Sequence, residues 1–139
     1  MSYLGRCACG QIALSIAGEP VLQRQCWCRQ CRRVAGGGPA NNAAFATDDI
    51  TITGNMASTD YVAASGNTVT HWFCPKCGVH VAAQSSARPH IKTIRFGVID
   101  EPHDLKPMAA IWTDEAPAWA IIDPELERFP RQPPPPPTR

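Results

Sequence analysis

The chain has 139 residues, 44% of them hydrophobic, and a formal net charge of +1. That length suits one domain, that apolar content excludes a disordered chain, and that charge excludes a broadly basic nucleic-acid-binding surface. No run approaches the ~20 apolar residues of a membrane-spanning helix, and residues 1–6 lack an apolar signal core, so a cytoplasmic protein with no membrane partner is expected.

Period-2 patterns dominate along the chain. Ile12, Leu14 and Ile16 alternate with polar or small residues, as in a half-buried strand. A turn follows at Gly18-Glu19-Pro20. A short helix is expected after Cys28, running through Arg33-Val34-Ala35 until Gly36-Gly37-Gly38-Pro39 stops it. Asn41 and Asn42 then fall on an expected loop at the rim of a pocket. Ile50 and Ile52 alternate with threonines before a turn at Gly54-Asn55. Residues 68–73 are rich in strand formers and run straight into Cys74. Val79 and Val81 open another strand, residues 91–98 a further one with an irregular step, and residues 109–112 a short one. Trp72, Trp112 and Trp119 read as core residues, and Trp27 as a wall of the substrate pocket. The fold class expected is mainly β, built of antiparallel strands with cysteine knuckles at strand ends, in a single domain over residues 1–130. Five consecutive prolines at 133–137 mark a proline-rich, disordered tail over 131–139.

The seven cysteines fall into three groups: Cys7 with Cys9, Cys26 with Cys28 and Cys31, and Cys74 with Cys77. An odd number in a reducing compartment favours metal binding or thiol chemistry over disulfides. Close pairs place two thiolates against one ion, and zinc closes a structural site with four such ligands. Four cysteines then leave three, and a three-ligand zinc keeps a position open for water or substrate. In the competing reading all seven hold structural metal, with a histidine completing the second site. Of His71, His80, His90 and His103, only His80 has ligand-like spacing, three residues after Cys77. A redox switch at the 26/28/31 triplet is the other alternative.

Charge is uneven. Arg24, Arg29, Arg32 and Arg33 surround the triplet with no acid among them, while most acids lie beyond Asp100. Arginines beside thiolates favour the ionised sulfur and attract anions, such as a thiol substrate that carries carboxylates.

At these residues the chain resembles the glutathione-dependent formaldehyde-activating enzymes, a family that includes centromere protein V. The resemblance rests on Gly5-Arg6-Cys7-Ala8-Cys9-Gly10, Cys26-Trp27-Cys28-Arg29-Gln30-Cys31-Arg32 and Phe73-Cys74-Pro75-Lys76-Cys77-Gly78. Pro107, Ile111-Trp112 and Pro117-Ala118-Trp119 extend it. It implies an Mss4-like β-sandwich. It implies a structural zinc on Cys7, Cys9, Cys74 and Cys77, and a second, catalytic zinc on Cys26, Cys28 and Cys31. It implies a carbon–sulfur lyase-type activity on a glutathione–formaldehyde adduct, S-hydroxymethylglutathione, with Arg29, Arg32, Arg33 and Trp27 as candidate substrate contacts. The alternative is a noncatalytic zinc-binding module or thiol-based sensor on the same scaffold. Three positions depart from the family pattern. Trp27 stands where the family often has histidine, Gly36-Gly37-Gly38 where it often has a Ser-Gly element, and Ala110 where histidine is common. Trp27 can neither ligate metal nor carry protons.

Overall fold

The strands form where alternation or β-branching predicts them, and at five further places. The computed structural model describes residues 2–134. In chain order they form β1 (Tyr3–Arg6), β2 (Ala13–Ile16), β3 (Leu22–Cys26), helix α1 (Arg29–Val34), β4 (Ala40–Ala46), β5 (Ile50–Thr53), β6 (Ala57–Val62), β7 (Thr68–Phe73), β8 (His80–Ser85), β9 (Ile91–Arg95), β10 (Ala109–Ile111) and β11 (Glu127–Arg128). The irregular step foreseen within 91–98 is a 3-10 turn at Phe96–Val98. Strands β1, β3, β4, β6 and β11 lie outside the patterns expected from the sequence. Asn41 and Asn42, expected on a loop, lie within β4.

The strands make two sheets, one ordered β1-β2-β5, the other β11-β10-β3-β4-β9-β8-β7-β6. All ladders are antiparallel except those of β10, which runs parallel to both β3 and β11. Strand β4 is alanine-rich because it is central and covered: Ala43, Ala44 and Phe45 have no exposed surface. A central strand with both faces filled needs small side chains more than it needs β-branching.

The small sheet packs on one face of the large one. Ile12, Leu14 and Ile16 meet Ala43, Phe45, Val81, Ala82 and Ile94 in the main core. Alternation then sends the neighbours of those residues to the opposite face of the large sheet. Asn42 pairs with Arg95 across β4 and β9, and Thr59 with His71 across β6 and β7. That second face therefore carries Cys26, Asn42, Arg95, His71 and Tyr61.

A bulge adds one more residue to it. Trp72 pairs with Ala82, but the next residue, Phe73, pairs with His80. Val81 is the extra residue, and both Val81 and Ala82 are buried in the main core. Strict alternation from Ala82 would turn His80 into that core; the inserted residue turns it to the other face instead.

The tail expected to be disordered lies outside the described residues from position 135 onward. Before that point the chain returns to β10. The Trp112 backbone N–H donates to the Arg131 carbonyl at 3.3 Å, and the Trp112 indole N–H donates to Gln132 Oε1 at 3.1 Å. Trp27, expected as a pocket wall, is buried; Trp72 and Trp112 are half-buried, and Trp119, expected in the core, is 67% exposed. No helix among the described residues is long and apolar enough to cross a membrane.

Candidate metal and thiol-substrate site

Two loops of the same design bring four thiols together. In the first, the Cys7 N–H donates to the Ile12 carbonyl at 3.1 Å and the Gly10 N–H to the Cys7 carbonyl at 3.2 Å. In the second, the Cys74 N–H donates to the Val79 carbonyl at 3.0 Å and the Gly78 N–H to the Cys74 carbonyl at 2.8 Å. Gly10 (φ 81°) and Gly78 (φ 78°) both occupy the left-handed region, which closes each knuckle without a Cβ clash. Cys7, Cys9, Cys74 and Cys77 lie with all four sulfurs within 4.8 Å of one another.

The donor set fits zinc. Tetrahedral Zn–S bonds of about 2.3 Å separate their sulfurs by about 3.8 Å. Cys9 Sγ lies 3.6 Å from Cys7 Sγ and 3.7 Å from Cys74 Sγ. The surroundings favour thiolates at Cys7 and Cys74. The Ile12 N–H donates to Cys7 Sγ at 3.3 Å, and Gln11 Nε2 donates to Cys74 Sγ at 3.2 Å. Burial raises the Cys74 thiol pKa, but donors from the Cys77 and Lys76 backbone and from Gln11 outweigh it and bring the thiol down to about 6.

The triplet gathers separately. Cys26 ends β3, Cys28 caps α1 and Cys31 sits in its first turn, with the three sulfurs within 4.8 Å of one another. Cys28 Sγ accepts from the Cys31 N–H at 3.3 Å. Contacts from the Cys26 and Cys31 thiols, joined by the Cys31 and Gln30 backbone donors, overcome burial and lower Cys28 to about 2. Cys26 moves the other way, raised by the same thiol contacts and by burial. The backbone donors at the start of α1 thus favour the ionised sulfur at Cys28. Ala40 and Ile111 pack beside Cys26 and Cys31, with Trp112 and Phe129 over the edge. No histidine joins either cluster among the described residues.

A cleft of about 250 Å³ adjoins the triplet. Ala40, which packs on Cys26 and Cys31, also lines the cleft, together with Val34 of α1, Asn41, His80 and Arg95. Arg95 is 8% exposed. Its Nη1 donates to Asn42 Oδ1 at 2.8 Å, while Nε and Nη2 are buried without a partner. Burial lowers the Arg95 pKa, and the charges opposing that are Cys31, Cys26, Tyr61 and Cys28. Behind it the rings follow in sequence: Tyr61 meets His71 edge-to-face at 5.3 Å, His71 meets His80 edge-to-face at 5.9 Å, and His80 stacks on Phe73 at 5.5 Å. Burial, Arg95 and His80 hold the buried His71 down at about 4, so its imidazole is neutral at pH 7.

The residues expected to contact substrate lie around α1 rather than in the cleft wall. Arg29 and Arg33 are exposed, and Arg32 Nε donates to the Trp27 carbonyl at 3.1 Å. Trp27 is 3% exposed, and its indole N–H donates to Gln25 Oε1 at 3.0 Å. None of the four lines the cleft. The cation that does is Arg95, which the sequence reading passed over. Its signal was weak: one arginine at the end of a hydrophobic strand. His80, whose spacing after Cys77 made it the candidate histidine ligand, joins neither cluster and lines this cleft.

The sequence profile of the glutathione-dependent formaldehyde-activating enzymes matches residues 2–115. A crystal structure of a protein from Rhodobacter sphaeroides shares the fold, with a TM-score of 0.58 at 21% identity, over 72% of this chain and 90% of that one. No curated protein matches the chain. With both cysteine clusters assembled and most of the chain matched, the protein belongs to the glutathione-dependent formaldehyde-activating enzyme family.

Proposed function

We propose that the protein joins a small thiol, such as glutathione, to a small aldehyde, such as formaldehyde, at the Cys26/Cys28/Cys31 cluster. The observation that carries this reading is the separation of two sulfur sets: a closed set of four, and a set of three beside a cleft that holds a buried cation. Cys7, Cys9, Cys74 and Cys77 would hold a structural zinc, and the triplet a second zinc with one position open. Zinc on the triplet supplies positive charge that keeps an incoming thiol ionised and polarises a carbonyl.

In the reaction the substrate sulfur attacks the aldehyde carbon. A C–S bond forms, the C=O π bond breaks, and the resulting oxygen takes the proton the thiol gave up. The product is the hemithioacetal, and the reverse step is a carbon–sulfur lyase reaction. The apolar edge of Ile111, Trp112 and Phe129 would keep water from the reacting sulfur. Seven free thiols suit a reducing, cytoplasmic compartment.

Hemithioacetal exchange, followed by NMR on glutathione and formaldehyde, tests the reading. Wild type should accelerate it and Cys31→Ser should not; equal rates for the two would sink it. Trp27 favours the second reading, a noncatalytic binding module, because no proton carrier stands between Cys26 and Cys28. That reading expects thiol binding with no acceleration.

A further inference from the structure

A buried guanidinium with unmet donors is costly unless an anion reaches it. Arg95 is in that position. Asn42 takes only Nη1, and no carboxylate among the described residues lies within ion-pair distance of Arg95. The two nitrogens left over, Nε and Nη2, form one edge of the planar guanidinium. Two parallel N–H groups on one edge match the two oxygens of a carboxylate. His80 contributes a third buried, unpartnered polar atom, Nδ1, on the wall of the same cleft.

We propose that the Arg95 edge and His80 Nδ1 form a carboxylate subsite, which holds the acidic end of the thiol substrate while its sulfur reaches the triplet. The bulge at Val81 and the Asn42–Arg95 pairing are what aim these groups together. Ala40 lines the cleft and packs against Cys26 and Cys31, so a ligand seated on the subsite lies one side chain away from the cysteines. The inference rests on the thiol reading above, and it makes the site selective for carboxylate-bearing thiols over neutral ones. It assigns the carboxylate contact to Arg95 rather than to Arg29, Arg32 or Arg33.

Calorimetry and ¹⁵N NMR of the zinc-loaded protein test it with three probes: S-methylglutathione, its dimethyl ester, and N-acetylglycine, a carboxylate with no sulfur. S-methylglutathione should bind at least tenfold more tightly than its ester and shift the Arg95 Nε–H resonance. Arg95→Lys keeps the charge but loses the paired edge, so it should bind the diacid at least tenfold more weakly. His80→Ala should weaken it severalfold. Because Arg95→Lys could disturb folding, the ester comparison on wild type stands by itself. If the ester binds as tightly as the diacid, the subsite is overturned and the thiol reading survives. If N-acetylglycine shifts the Arg95 resonance while wild type fails to accelerate hemithioacetal exchange between glutathione and formaldehyde, the subsite stands and the thiol reading falls. If no probe moves that resonance, the subsite is overturned.

Discussion

Replacing Cys77 by serine separates a metal that holds the fold from one that serves a reaction. The two knuckles lie far apart along the chain, with Cys9 and Cys74 separated by 65 positions. A zinc held between them, as proposed above, would tie the entry to β2 to the β7–β8 turn. Structural zinc binding carries about 10–16 kcal/mol in small peptides, comparable with the about 5–15 kcal/mol that holds a whole domain. Losing one of four equivalent ligands should therefore remove about 3–4 kcal/mol, or roughly 10 °C of melting temperature for a chain of this size. Cys77 is only half-buried, so the exchange of thiol for hydroxyl by itself should cost under about 0.5 kcal/mol. Cys26 is buried, but its partners are all within one short segment, so Cys26→Ser should cost only about 1–2 kcal/mol. The assay is a thermal melt of wild type, Cys77→Ser and Cys26→Ser, each zinc-loaded and then chelated. The gap between wild type and Cys77→Ser should close in chelator. A gap that persists, or a larger loss in Cys26→Ser, would refute the assignment of the closed site.

Elemental analysis of protein purified without chelator should find about two zincs per chain, falling to about one in Cys31→Ser; one zinc in both would leave the triplet unloaded. His71 supplies a pH test. Its folded pKa is depressed from 6.5 to about 4 by burial, Arg95 and His80, so the unfolded chain takes up the proton first. The contribution is fully present above pH 6.5 and is lost as the pH falls toward 4, a stake of about 2 kcal/mol after allowance for screening. Urea midpoints at pH 7 and 4.5 should fall further for wild type than for His71→Gln, and equal falls would contradict the sign. A chain ending at Leu126 removes Phe129 from the triplet's edge. Its Cys28 should react several times faster with a thiol reagent, and an unchanged rate would show that Phe129 does not shield the sulfurs.

Much of the site was legible as spacing. Cysteines two or three positions apart, with glycine after Cys9 and Cys77, fold into turns from local backbone geometry, so the three groups could be read along the chain. The strands carrying β-branched alternation were equally plain. The central strand β4 was not, because Ala-Asn-Asn-Ala-Ala-Phe-Ala has no local strand signal; its small residues matter only once sheets cover both faces. Arg95 and His80 were hidden for a related reason. Their meaning lies in which residue stands opposite: Asn42 across β4 and β9, and Phe73 across a bulge at Val81. Register is a long-range choice, made by packing the core face, and one inserted residue reverses which side a histidine takes. The sequence by itself thus determined the fold class and the three cysteine groups, since both depend on near neighbours. Only the tertiary structure decided which cation meets the cleft, because that depends on strands brought together from distant parts of the chain.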